Sequence, residues 1–190
     1  MFVSAASIKG WEGRYGTPVE WTDVQSISDE DHQVISHSQR HGRRHDITLY
    51  IEGDGKIAVI AKPFYPPGLY RAPSGGLDPD EDLETGAARE GLEETGLTVR
   101  LERYLLRAHV AFTSRLGDIA WHTHVFSAST PDRLIAPTDH HEIREARWAD
   151  PGEFRDFDLI MRRSERGGLQ YRARLHEQVA RLHHLFRHGR

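Results

Sequence analysis

The chain has no cysteine in its 190 residues. That excludes disulfide scaffolds, thiolate zinc centres and cysteine nucleophiles together. Lysine is almost missing as well: Lys9, Lys56 and Lys62 stand against 22 arginines. With 25 basic and 29 acidic side chains the net charge is −4, so no global positive field gathers nucleic acid or anionic membrane. No run approaches the ~18 apolar residues of a membrane-spanning helix. The opening MFVSAASIKG lacks the charged start of a signal peptide, so a soluble, cytoplasmic protein is expected. There is no G-x-x-x-x-G-K-[ST] loop, and Ser74 and Ser164 lack a G-x-S-x-G setting, so P-loop and serine-hydrolase chemistries are not supported.

What is present suits one globular domain: 37% hydrophobic residues, 17 glycines and no internal repeat. Residues 1–45 are polar and weakly periodic, and read as an N-terminal extension with one strand or short helix. They end in the basic cluster Gln39-Arg40-His41-Gly42-Arg43-Arg44-His45. β-Branched runs at 47–51 and 56–61, joined through Asp54-Gly55, predict a hairpin. Helix formers fill 81–95, with Gly96 as the stop. Two longer strands are expected over 98–111 and 117–128, a short strand over 144–148 and a helix over 151–157. Tyr171, Leu175, Val179, Leu182 and Phe186 make one apolar helical stripe, for core packing or for a homodimer seam. Strands around a central helix, with helices at the end, predict an α/β layered domain.

The chemistry concentrates in the helix predicted at 81–95. Glu90, Glu93 and Glu94 fall at i, i+3 and i+4, so three carboxylates share one face and repel by several tenths of a kcal/mol per pair. A hard divalent cation, Mg²⁺ or Mn²⁺, would offset that repulsion. Arg89 can reach back to Glu81 or forward to Glu93. Gly86 and Gly91 each cost ~1 kcal/mol relative to alanine inside a helix. With Ala87 and Ala88 they form a small-residue face that lets the helix press close to a sheet.

Residues 75–97 resemble the Nudix box, G-x5-E-x7-R-E-U-x-E-E-x-G-U, with U a bulky aliphatic. Gly75, Glu81, Arg89, Glu90, Glu93, Glu94, Gly96 and Leu97 match in register, and Gly91 stands at the first U position. At average residue usage, the seven fixed positions match by chance with a frequency on the order of 10⁻⁸ per starting point. With the flanking strands, the resemblance runs over roughly residues 46–157. It implies an α/β/α sandwich with a mixed β-sheet and the box loop-helix on one face, in a domain over 46–190 that includes the C-terminal helix. It also implies metal-dependent hydrolysis of a nucleoside diphosphate derivative: a nucleotide sugar, ADP-ribose or a nucleoside triphosphate. The alternative is a catalytically silent nucleotide sensor on the same fold.

The resemblance makes Glu90, Glu93, Glu94 and the Gly75 carbonyl the expected ligands of Mg²⁺ or Mn²⁺, and makes Glu81 and Arg89 the orienting pair. The general base is then Glu93 or Glu94 in the box, or Asp139, Glu142 or Glu145 beyond it, and the choice stays open here. Arg40, Arg43, Arg44 and Arg71 are possible forks for diphosphate oxygens. Trp121, Trp148, Tyr65 and Tyr70 could stack a base or simply be buried. His122 and His124, one residue apart on one strand, could touch substrate, lie exposed, or hold Zn²⁺. Within these expectations Arg44, Arg71 and His124 are the substrate contacts. The partner is a small nucleotide derivative, with neither nucleic acid nor membrane.

Overall fold

The computed structural model describes residues 3–39, 43–78 and 81–187. Arg40, His41 and Gly42 of the basic cluster, and Pro79 and Asp80 of the box, lie outside the described residues.

The fold is organised on strand β2 (His45–Gly53), in which Ile47, Leu49, Tyr50 and Ile51 are all buried. Its alternation serves two cores at once. Ile47, Leu49 and Ile51 join one apolar cluster, and Tyr50 joins the other on the opposite face of the sheet. Asp54 and Gly55 both take positive φ, so the turn from β2 into β3 (Lys56–Ala61) is the left-handed type that Asp-Gly favours.

β2 and β3 pair only beside that turn, through Glu52–Ile57 and Gly53–Lys56. They then splay, and β4 (Ser74–Gly76) takes over the free edge of β2 at residues 46–48. β5 (Arg100–Ser114) and β6 (Gly117–Ser129) form the long antiparallel pair, and β6 runs parallel to β2. β7 (Glu145–Ala149) closes the sheet against β3.

The first residues are built into this sheet. Helix α1 (Ala5–Tyr15) is capped by Ser4 and buries Trp11 in the same cluster as Ile47. β1 (Val19–Ser26) adds a parallel edge strand to β5. α2 (Asp29–Ser38), capped by Ser28, follows it. So 1–45, read as an extension with one strand or short helix, supplies a strand and two helices among its described residues.

α1 and α3 (Leu83–Thr95) cover one face of the sheet. α4 (Phe154–Arg163) and α5 (Gly167–Leu182) cover the other. The result is the expected α/β/α sandwich with a mixed sheet. Tyr171, Leu175 and Val179 of the C-terminal stripe are buried in the core, so the stripe is packing and not a dimer seam. The helix does not run on to Phe186. It breaks at His183, which is extended, and a short α6 (His184–Arg187) follows.

A chain of histidines stitches β1, β5, β6 and β2 together. Tyr104 lies 2.5 Å from His124 Nδ1, and His124 Nε2 lies 2.9 Å from His45 Nδ1. With the tyrosine hydroxyl donating to Nδ1, His124 must donate from Nε2 to His45. Beside this, His109 Nε2 is 2.8 Å from Glu20, and its Nδ1 is 3.0 Å from His122 Nδ1. Burial, aided by the neighbouring rings, pushes His45 down to about 4 and His124 well below its ordinary 6.5. The folded state therefore refuses protons that the unfolded chain accepts. The resulting stability is present at neutral pH and is lost as pH falls from 6.5 towards 4. The melting temperature should drop between pH 7 and pH 5, and His45→Asn should reduce that drop by a few degrees, at about 2–4 °C per kcal/mol for a chain this size. An unchanged slope in thermal melts would count against the ladder as the acid-sensitive element.

Candidate active site

The site begins with the way α3 is started and stopped. Asp82 caps it by accepting from the Thr85 amide at 2.8 Å. Gly96 ends it at φ 75°, with the Ala136 carbonyl packed where a side chain would stand. Its two internal glycines face neighbours that leave no room for a methyl group. A Cβ on Gly86 would meet Leu77 and Glu81, and one on Gly91 would overlap Val99. The missing aliphatic of the box is thus replaced in space by Val99, and the departure at Gly91 is compensated within the core.

Arg89 wires the loop to the helix. Its Nε and Nη2 donate to the two oxygens of Glu81, each at 2.9 Å, and Nη2 also reaches the Gly76 carbonyl at 2.9 Å. Nη1 donates to Glu90 at 2.6 Å and to Glu93 at 3.2 Å. Glu81 in turn accepts from the Asp78 amide at 3.0 Å. The bidentate contact with Arg89 holds the Glu81 carboxyl below the usual range.

Glu90 is only 8% exposed, and burial, with Glu94 and Glu93 beside it, pushes its carboxyl up to about 7 despite Arg89. A Cβ on Gly75 would fall on that carboxyl, so the glycine is the space Glu90 occupies. An all-oxygen donor set, one member desolvated against two like charges, fits a hard divalent cation.

Glu94 has its own support. The Ser74 amide donates to one oxygen at 2.7 Å, and Arg71 reaches the other at 3.3 Å. Arg71 is buried, and also bonds Tyr65, the Ala72 carbonyl and Ser74. Burial alone would lower its pKa, but Tyr65 and Glu94 raise it further, so it stays charged. Removing either partner of such a buried pair costs about 3–5 kcal/mol. Lys62 lies 3.8 Å from Glu94 and 2.6 Å from Glu142, linking the box to the loop before β7.

These groups line a cleft of about 760 Å³. Glu90, Glu93 and Glu94 are at one side with Asp139 and Glu142. Val34, Ile35 and His37 of α2, Phe64, Arg166 just before α5 and Arg172 within it are among the residues that line the remainder. Two of the expected substrate contacts need correction. His124 is wholly buried between Tyr104, His45 and Trp11, out of reach of any ligand. Arg44 is exposed away from the cleft, and its neighbour Arg43 lines it instead, paired with Asp78. Arg71 does line the cleft, but its donors are directed to Glu94 and the loop. Glu145 accepts from Tyr70 at 2.7 Å and does not line the cleft. Lys62, Ser74, Asp46, Arg172 and the whole of α2 were not singled out by sequence, because nothing local marks them. Only the strand register brings them here.

The family model for the NUDIX domain matches residues 41–167. The chain belongs to the NUDIX domain family. A curated relative, "NAD-capped RNA hydrolase NudC" from Vibrio atlanticus (strain LGP32), is 32% identical over 104 residues. Those residues are 55% of this chain and 36% of that protein, so the chain spans about a third of the length of the curated relative it matches. Among solved structures, a NUDIX hydrolase from Nitrosomonas europaea aligns over 72% of this chain and 88% of its own, at 22% identity and TM-score 0.49. A MutT NUDIX hydrolase from Burkholderia pseudomallei aligns over 57% and 84%, at 25% identity and TM-score 0.44.

The Gly91–Val99 exchange of space can be tested directly. Restoring the Nudix aliphatic with Gly91→Ile should destabilise the protein by about 1–3 kcal/mol, because it overpacks a filled site. Gly91→Ile with Val99→Ala should recover much of that loss in urea denaturation, as contacting sites couple. Additive effects of the two changes would refute the exchange.

Proposed function

We propose that this chain is a Nudix pyrophosphohydrolase that cleaves a diphosphate linkage in a nucleoside diphosphate derivative, using Mg²⁺ or Mn²⁺. The observation that carries the reading is the set of three box carboxylates, each held by a named donor, on one wall of a cleft large enough for a nucleotide. Glu90, Glu93, Glu94 and the Gly75 carbonyl would hold the cation. When bound, the cation neutralises the diphosphate and acidifies a water molecule.

The protein's own groups supply the rest. Arg89 and Glu81 keep the loop carbonyls and the helix carboxylates in one register, so the site is formed before substrate arrives. Arg71 and the Ser74 amide hold both oxygens of Glu94, which fixes it as a ligand. Glu93 and Glu142 are better placed to take the proton: both line the cleft, with Glu93 45% and Glu142 64% exposed in their side chains. Arg166 offers a planar fork for phosphate oxygens across the cleft, where Arg43 and Arg172 also lie, paired with Asp78 and Asp46. Phe64, more than half exposed, carries the Arg166 guanidinium 4.8 Å from its ring centre, which leaves its other face for a base.

The substrate class includes nucleoside triphosphates, nucleotide sugars and ADP-ribose. The name of the Vibrio relative adds NAD-capped RNA. A net charge of −4 is no bar to that, because only the terminal group need enter the cleft.

The test is phosphate release, after a phosphatase couple, from a panel of these compounds and NAD with Mg²⁺ or Mn²⁺. One compound should turn over, and Glu93→Gln should reduce kcat by at least about a hundredfold. If Glu142 is the base, Glu142→Gln should cause a similar loss in kcat with little change in KM. Turnover that survives both Glu93→Gln and Glu94→Gln would sink the reading. Binding without turnover of any compound would favour the sensor.

A further inference from the structure

A second group of ligating side chains lies away from the cleft, where the C-terminal helices meet the end of β2. Glu52, His183 and His184 present one ligand atom each within 4.8 Å of one another. His183 Nε2 is 3.1 Å from one Glu52 oxygen, and His184 Nε2 is 3.3 Å from the other.

Neighbouring residues in a continuous helix point about 100° apart. Here α5 ends at His183, whose backbone is extended (φ −85°, ψ 127°), and α6 starts again at His184. That break turns the two rings nearly parallel, 11° between planes and 5.1 Å between centres, so both nitrogens address one carboxylate.

His183 is 1% exposed, and its Nε2 is buried with no hydrogen-bond partner among the described residues. Glu52 is near enough but not aligned to accept an N–H, and a buried ring nitrogen left this way is costly. A cation between the three groups would satisfy it. Coordination at Nε2 puts the ring proton on Nδ1, which gives up only a 3.4 Å contact with the Leu185 amide. A cavity of about 330 Å³, lined by the three residues and by Glu102, Ser127 and Ser129, adjoins the group and has room for a fourth ligand such as water.

We propose that Glu52, His183 and His184 form a second cation site, one for Zn²⁺ or a similar borderline metal. Two imidazoles and a carboxylate are a zinc donor set, whereas Mg²⁺ prefers oxygen and keeps its waters. The site shares no residue with the cleft, so it stands or falls apart from the hydrolase reading. Bound metal would fasten the α5–α6 break to the end of β2.

The experiment uses the full chain, stripped with chelator and titrated with Zn²⁺ and with Co²⁺ in excess Mg²⁺, which occupies the oxygen site of the box. One equivalent of Zn²⁺ should bind and raise the melting temperature. Co²⁺ should give the intense visible bands of a four-coordinate site with nitrogen ligands, and Zn²⁺ should bleach them. His184 is 61% exposed in its side chain, so His184→Ala should fold normally and weaken Zn²⁺ binding by at least about a hundredfold, beyond the loss of an outer-shell partner. Glu52→Gln should do likewise. Only the weak spectrum of six-coordinate Co²⁺, or equal Zn²⁺ affinity in His184→Ala and parent, would overturn the proposal and leave the group a plain His–carboxylate ion pair.

Discussion

One guanidinium sets the geometry of the cleft. Arg89 donates to Glu81, Gly76, Glu90 and Glu93, and so ties the β4 loop, the start of α3 and its acidic face into one unit. Three carboxylates on adjacent turns repel; this one cation, only a quarter exposed, holds Glu90 and Glu93, and Arg71 holds Glu94. The partially dry surroundings strengthen each contact and also raise the Glu90 carboxyl. The arrangement is a compromise between repulsion and clamping, which a divalent cation would complete.

Arg71 repeats the device one layer deeper. It is buried against Glu94, with Tyr65 and Ser74 taking its remaining donors. The splaying of β3 from β2 makes this possible. Where the two strands part, residues 62–73 form an inserted loop, Arg71 bridges back to Ile60, and β4 seals the edge of β2. A strand pair that stayed zipped would leave no place for either the arginine or the cleft.

Features fixed by neighbours in sequence were legible. The Asp54-Gly55 turn, the stop at Gly96, the reach of Arg89 to Glu81 and Glu93, and the long β5–β6 pair each follow from a local rule. Features fixed by distant pairing were not. Nothing around His124 shows that Trp11 covers it, so an H-x-H spacing reads as within reach of substrate. Arg43 and Arg44 are equal on paper, and only the register of Gly76 against Asp46 decides which one turns to the cleft. The C-terminal stripe was visible as an apolar period, but its interruption at His183 was not, because the period resumes at Phe186.

The wall that α2 contributes has a consequence for how such a protein changes over time. The match to the NUDIX domain begins at residue 41, yet Asp31, Val34, Ile35, His37 and Ser38 all line the cleft. The box carboxylates and this wall of the cleft are therefore written in separate stretches of the gene. Change within residues 29–38 can reshape this wall of the cleft while the acidic helix is left as it is. Two chains with identical boxes and different leading segments can thus carry differently shaped clefts.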